Sequence, residues 1–80
     1  METTPYEKAQ TGLTMIKSAI HVLLLSAGEE GLKNSEIGRR LGIYGGHEGH
    51  EGHISRTMLA HLELEGLVKQ DKDKKTWSIR

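Results

Sequence analysis

The stretch Ile54-Ser55-Arg56-Thr57-Met58-Leu59-Ala60-His61-Leu62-Glu63-Leu64-Glu65-Gly66-Leu67-Val68-Lys69-Gln70, with Asp71-Lys72-Asp73-Lys74-Lys75 and Thr76-Trp77-Ser78-Ile79-Arg80 after it, changes structural period once. Up to Leu64 the apolar residues Ile54, Met58, Leu59 and Leu62 recur at helical steps, which predicts a helix with those four side chains as its buried stripe and Gly66 as its stop. Beyond Gly66, Leu67–Gln70 and Thr76–Arg80 read as two strands joined by the charged turn Asp71–Lys75. In the second strand Trp77 and Ile79 alternate with Thr76, Ser78 and Arg80, so one face of the hairpin is expected to pack on helices and the other to meet water.

Upstream of that unit, Ile43-Tyr44-Gly45-Gly46-His47-Glu48-Gly49-His50-Glu51-Gly52 contains four glycines and a tandem Gly-His-Glu unit. That composition is too flexible for a helix interior or a central strand and predicts a loop. Before it, Ile37 and Leu41 lie one turn apart in a short second helix that Asn34 or Ser35 is placed to cap, with Glu36 in its first turn and Gly42 at its end. Earlier still, Leu13, Ile16, Ile20, Leu23, Leu24 and Ala27 share one helical face, and Gly28 stops that first helix. The expected organisation is a polar N-terminal segment, residues 1–12, and one α+β domain, residues 13–80: mainly helical, with three helices and a C-terminal two-stranded hairpin.

Leu32-Lys33-Asn34-Ser35-Glu36-Ile37-Gly38-Arg39-Arg40-Leu41-Gly42, then Ile54-Ser55-Arg56, then Leu62-Glu63-Leu64-Glu65-Gly66-Leu67-Val68, together resemble the winged helix-turn-helix of prokaryotic transcription regulators. The order and spacing of these pieces over residues 13–80 carry the likeness. A narrower similarity is to small winged-helix segments associated with restriction endonucleases, in which a Leu-Gly helix end precedes a glycine-bearing polar loop and a helix start like His53-Ile54-Ser55-Arg56-Thr57-Met58-Leu59. The long loop departs from the tight turn of the standard motif. The resemblance implies a third helix that enters the major groove of double-stranded DNA and a wing on the neighbouring backbone. It implies DNA contacts from His53, Ser55, Arg56 and Thr57 on the helix and from Lys72, Lys74 and Lys75 on the wing. Arg56 can offer paired donors to guanine, and Ser55 and Thr57 can bond base edges or phosphates. A protonated His53 can add a phosphate contact. Arg56 has an alternative role as a solvated helix residue paired with Glu63, and the three lysines as a solubilising turn diluted by Asp71 and Asp73.

Composition limits the other readings. The chain has 80 residues, 11 Lys and Arg against 11 Asp and Glu, and no cysteine. One core is the most that this length builds, and neither disulfides nor thiolate metal sites supplement it. Zero formal charge argues against an indiscriminate polyanion binder, although Lys69, Lys72, Lys74, Lys75 and Arg80 concentrate positive charge at the C-terminal end. The longest apolar run, Ala19 to Ala27, is broken by His21 and Ser26, and the opening residues lack a secretory pattern, so a cytoplasmic location without membrane insertion is expected.

His47, His50 and His53, with Glu48 and Glu51, are candidate ligands for zinc, copper or nickel, but their three-residue spacing spreads them around a helix and ordering a glycine-rich loop opposes binding. The same histidines are also candidates for a pH response near the third helix. No cofactor is expected, and no nucleophile, paired-aspartate or phosphate-cradling pattern supports an enzyme. The alternative function is a protein-interaction adaptor, for which neutral charge and the acids Glu48, Glu51, Glu63 and Glu65 are suited. Tyr6 and the long first helix are candidates for a contact with a second copy, giving a homodimer.

Overall fold

The N-terminal residues Thr4-Pro5-Tyr6-Glu7 settle where the first helix begins. In the computed structural model, which describes residues 2–46, 49 and 51–80, helix α1 spans Pro5–Ala27. The Thr4 hydroxyl accepts from the Glu7 backbone N–H at 3.1 Å, and the Glu7 carboxylate accepts from the Thr4 backbone N–H at 3.2 Å. This reciprocal cap, with proline at the first helical position, satisfies two end groups and starts the helix without any burial. The same Thr4 donors hold the Glu7 carboxyl below its ordinary range. Most of the polar segment assigned to residues 1–12 is therefore the exposed first part of α1, and the apolar face that begins at Leu13 is only where that helix reaches the core.

Ile20 and Leu24 carry α1 into the core, where they meet Leu32, Ile37, Met58, Leu59, Leu62, Val68 and Trp77. After a 3-10 turn at Gly28–Glu30, the chain forms strand β1 (Leu32–Lys33), helix α2 (Asn34–Arg40), helix α3 (His53–Leu64) and strands β2 (Val68–Asp71) and β3 (Thr76–Ile79). The fold is α+β and mainly helical, with three α-helices as expected. The sheet differs from expectation: it has three antiparallel strands in the order β1-β3-β2 rather than two. Leu32 stands opposite Trp77 and Lys33 opposite Thr76, while Val68 pairs with Ile79 and Gln70 with Trp77.

The third strand has a steric origin. Gly31 (φ +68) approaches so closely that a Cβ built on it would lie 2.2 Å from the Trp77 carbonyl oxygen. A glycine here lets the chain leave the 3-10 turn against the centre of the sheet and brings Leu32 into the core beside Trp77. Two residues suffice to pair because β3 is already held by β2, so β1 adds its hydrogen bonds to a formed edge. Ile79 and Ser78, on the central strand, are both half-buried, so the hairpin has no fully wet face at that end.

Helix α2 begins one residue earlier than a cap at Asn34 or Ser35 would place it. Lys33 occupies the cap position, and its backbone N–H donates to the Glu36 carboxylate at 3.0 Å. Glu36 does the capping from the first turn, which frees the Asn34 side chain for another task. At the other end Ile43 N–H donates to the Gly38 carbonyl at 2.8 Å, closing α2 around Gly42.

The β2–β3 turn is organised by Asp71. Its carboxylate accepts from the backbone N–H groups of Asp73 (2.9 Å) and Lys74 (3.1 Å), which lowers its pKa. Lys75 then adopts φ +62, the left-handed region, and its N–H donates to the Asp71 carbonyl at 2.7 Å. A non-glycine residue pays roughly 1–2 kcal/mol for that conformation, partly offset by the ~0.5–1 kcal/mol of extra chain entropy that glycine loses on folding. Lys75→Gly is accordingly expected to stabilise the protein by about 0.5–1 kcal/mol. A urea midpoint that rises at constant slope is the expected reading, and a midpoint that falls would show that the lysine stem contributes packing the turn needs.

Candidate functional site

Helix α3 and the loop before it hold most of the residues singled out from the sequence. The solvent face of α3 carries His53, Arg56, Ala60 and His61, all exposed, with Thr57 half-buried among them. Ser55 does not belong to that face. It is completely buried, and its hydroxyl lies 2.8 Å from the Asn34 side-chain oxygen and 3.2 Å from the Gly52 carbonyl. Ile54, expected in the buried stripe, is instead 42% exposed. The two adjacent residues have exchanged places relative to expectation, which removes Ser55 from the groove-facing set and puts an apolar side chain beside Arg56.

The helical wheel explains the exchange. At 100° per residue, Ser55 falls midway between Met58, Leu59 and Leu62, whereas Ile54 lies at the stripe's edge. A buried hydroxyl is tolerable there because it has partners. Asn34 supplies them on the other side: its oxygen faces Ser55 and its amide donates to the Gly52 carbonyl at 3.1 Å. Asn34, Gly52 and Ser55 thus form a polar clasp between the start of α2 and the start of α3, and among the described residues no buried side-chain polar atom is left without a partner.

Tyr44 packs into the same corner. A Cβ on Gly38 would lie 3.0 Å from the Tyr44 ring, and one on Gly52 would lie 2.9 Å from it. The Arg39 guanidinium sits over that ring, 4.6 Å from its centroid. Stacking of this kind holds an arginine in place while leaving its donors free. Arg39 is thereby fixed beside the first turn of α3, and Arg40 next to it is exposed.

Among the described residues no side chain caps the N-terminus of α3. Gly52 occupies the cap position with φ +77, and the first backbone bond of the helix is from Arg56 N–H to the Gly52 carbonyl at 3.0 Å. That turn lies at the positive end of the helix dipole; His53, Ile54 and Arg56 are exposed there, while Gly52 and Ser55 are buried under Asn34 and Tyr44. Arg56 donates to the Glu51 backbone carbonyl at 3.4 Å; among the described residues it makes no ion pair, with Glu63 or with any other acid. Thr57 donates its hydroxyl to the His53 carbonyl at 2.9 Å, so its oxygen is turned along the helix rather than away from it. The sequence offered a signal for none of the Asn34 clasp, the Arg39–Tyr44 stack or the bare helix end, since all three depend on which residues the loop brings together.

Lys72, Lys74 and Lys75 are exposed in the β2–β3 turn, and Lys72 donates to the Gln70 side chain at 3.2 Å. The turn's N–H groups, those of Lys74 and Asp73, hold Asp71 ionised, so Asp71 and Asp73 both dilute these cations. Of the metal candidates, His53 is exposed on α3, while His47 and His50, with Glu48, lie outside the described residues. Among the described residues no three His, Asp or Glu side chains gather where they would hold an ion.

No protein-family model, curated protein or solved structure matches the chain.

Proposed function

We propose that this chain is a winged-helix domain that binds double-stranded DNA, with α3 in the major groove and the β2–β3 turn on the flanking backbone. The reading fits a small prokaryotic transcription regulator working in the cytoplasm, without catalysis of its own. The observation that carries it is the exposed start of α3, with His53 and Arg56 on its outer face, joined to α2 by the Asn34–Gly52–Ser55 clasp. The positive end of the helix dipole and the exposed His53 and Arg56 suit a phosphate, and a helix presented on a fixed corner can enter a groove with little ordering cost. The element order supports the same reading: helix, short strand, two helices, then a hairpin whose second strand closes on the short one.

Roles follow from exposure. Arg56 is the candidate for guanine recognition, and Ile54 next to it is placed for apolar contact, such as with a thymine methyl. Arg39 and His53 are assigned to phosphates, as are Lys72, Lys74 and Lys75; Thr57 contributes at the helix edge. Ser55 is a positioning residue that acts through Asn34. Zero net charge predicts weak nonspecific affinity, so this domain depends on few, well-placed contacts rather than on a broad positive field.

The deciding measurement is a salt-dependent titration of duplex DNA with wild type and Arg56→Ala. Wild type is expected to bind, with log affinity falling linearly against log salt, and the variant to lose roughly 1–3 kcal/mol of binding on a selected site, with less loss on random DNA. The competing reading is a protein-interaction adaptor, favoured by Leu64 at 88% exposure near the end of α3. Absence of DNA binding by wild type even at low salt would move the assignment to that adaptor.

A further inference from the structure

The exposed side of α3 carries a row of apolar groups that the core does not use. Ile54, Thr57 and Ala60 follow one another at steps of three, so each side chain lies against the next on the helix surface. Ile54 is 42% exposed, Ala60 is exposed and Thr57 is half-buried. Thr57 belongs to the row through its methyl group. Its hydroxyl donates to the His53 carbonyl one turn back at 2.9 Å, so that donor is spent on the helix and the γ-methyl is what the side chain has left to offer. Leu64 continues the row by a step of four, but Glu63 and Glu65 stand on either side of it in the chain.

We propose that this row reads the 5-methyl groups of pyrimidines in the major groove, those of thymine or of 5-methylcytosine, beside a guanine taken by Arg56. The proposal rests on the DNA-binding reading and names the base chemistry that it selects. Size, charge and reach favour duplex DNA as the occupant. A helix with its side chains is about 10–12 Å across and the groove is about 12 Å wide, so the backbone seats deeply only where the side chains facing the floor are short, as Thr57 and Ala60 are. A protein partner is held by large anchors, aromatic residues and arginine at the centre of the contact, and this row has none at its centre. Exposed His53 and exposed Arg56, the latter without an ion pair among the described residues, border the start of the row, where phosphates flank a groove. Along α3 the acids come only after Ala60, which puts Leu64 beyond the contact. From Ile54 to Ala60 the helix rises about 9 Å, the height of roughly three base pairs.

Zero net charge gives this contact its weight. With few phosphates neutralised, selection among sequences falls to the base edges. Pyrimidine C5 carries a methyl in thymine and 5-methylcytosine and a bare hydrogen in uracil and cytosine, so an apolar row separates the two classes without any hydrogen bond. Burying one methyl is worth about fourfold in affinity, and three of them about sixtyfold.

Selection of duplexes from a random pool by wild type at low salt should enrich neighbouring thymines next to a guanine or, from a pool made with 5-methylcytosine, neighbouring methylated cytosines in the same setting. Re-synthesis of an enriched site with uracil for one thymine at a time deletes a single methyl and should weaken binding about three- to fivefold at each contacted position. At the same positions a cytosine–guanine pair compared with a 5-methylcytosine–guanine pair measures the methyl from its other source, and the methylated base that binds tighter is the one the domain selects. Variants separate methyl from hydroxyl. Thr57→Val keeps a methyl and should retain every uracil penalty, while Thr57→Ser keeps the hydroxyl and should lose the penalty at one position. Ile54→Ala should lose it at a neighbouring base, and circular dichroism checks that all three variants keep their helices. A pool that yields no enriched site, binding that ignores uracil and unmethylated cytosine alike, or a penalty that survives in Thr57→Ser and disappears in Thr57→Val would overturn this inference and leave the DNA-binding reading standing. Absence of duplex binding by wild type at low salt would overturn both, in favour of the adaptor.

Discussion

Gly31→Ala is expected to cost at least about 3 kcal/mol, enough to leave a domain of this size largely unfolded under mild denaturant. Two penalties combine. Gly31 has φ +68 and ψ −169, a region that only glycine enters readily, and a Cβ there would sit 2.2 Å from the Trp77 carbonyl oxygen and 2.9 Å from its carbonyl carbon. Both of those atoms belong to the backbone of the central strand, so no side-chain rotation relieves the clash. The chain must either pull β1 off β3, taking Leu32 out of the core, or distort the strand that carries Trp77. Gly28 provides a matched control, because its backbone is nearly the same (φ 67, ψ −156) while a Cβ on it meets nothing within 4 Å. Gly28→Ala therefore carries the backbone strain alone, and the difference between the two variants measures the steric contact with Trp77. Urea unfolding followed by the fluorescence of Trp77, the one tryptophan, reads both. Equal losses in the two variants would mean that the β1–β3 approach contributes nothing, and that the third strand is incidental to the fold.

Much of this architecture was legible wherever burial repeats at a regular period. The core face of α1, the stop of α3 near Gly66 and the β2–β3 hairpin each follow from apolar spacing with glycine or charged turn residues at the boundary. The misreadings share a cause: structure made by something other than a run of apolar residues. The first two turns of α1 form on the Thr4–Glu7 cap and Pro5, with no apolar face to announce them. Strand β1 has two residues and exists because Gly31 admits a backbone contact with a strand more than forty positions away.

The candidate site was legible as a location and only partly as a set of side chains. The apolar steps Ile54, Met58, Leu59 and Leu62 put the buried stripe through Ile54 and leave Ser55 outside it, although the helical wheel sets Ser55 between Met58 and Leu59. What reverses the assignment is Asn34, a residue that local signals present as a helix cap. Its true partners lie 18 and 21 positions away, across a glycine-rich loop whose path no periodicity specifies. Arg39 was legible as a cation at a helix end, but not as one steered by Tyr44 to the start of α3.

The same corner yields the second large effect. Gly38→Val is expected to cost about 2–4 kcal/mol, although the position lies inside a helix, where replacing glycine ordinarily helps. Gly38 is buried, and a Cβ on it would lie 3.0 and 3.1 Å from the Tyr44 side chain and 3.1 Å from the Ser55 hydroxyl. Alanine is the borderline case: its gain in helix propensity of ~1 kcal/mol opposes crowding of a few tenths of an ångström, so Gly38→Ala should be close to neutral. Valine adds two methyl groups in the same space, and the only relief is to lever α2 away from α3. That movement opens the Asn34–Ser55 contact, leaves a buried hydroxyl short of a partner and shifts the Arg39–Tyr44 stack away from the first turn of α3. A double-mutant cycle with Tyr44→Ala separates crowding from any intrinsic dislike of valine in α2, because it takes away the ring, whose Cδ1 is the nearest of the three close atoms, and keeps only Cβ. The cost of Gly38→Val should fall in the Tyr44→Ala background by the part due to the ring, with the part due to Cβ and the Ser55 hydroxyl left in place. If it is unchanged there, α2 and α3 are not held apart by this glycine, and the rigid corner on which the proposed recognition helix depends must have another origin.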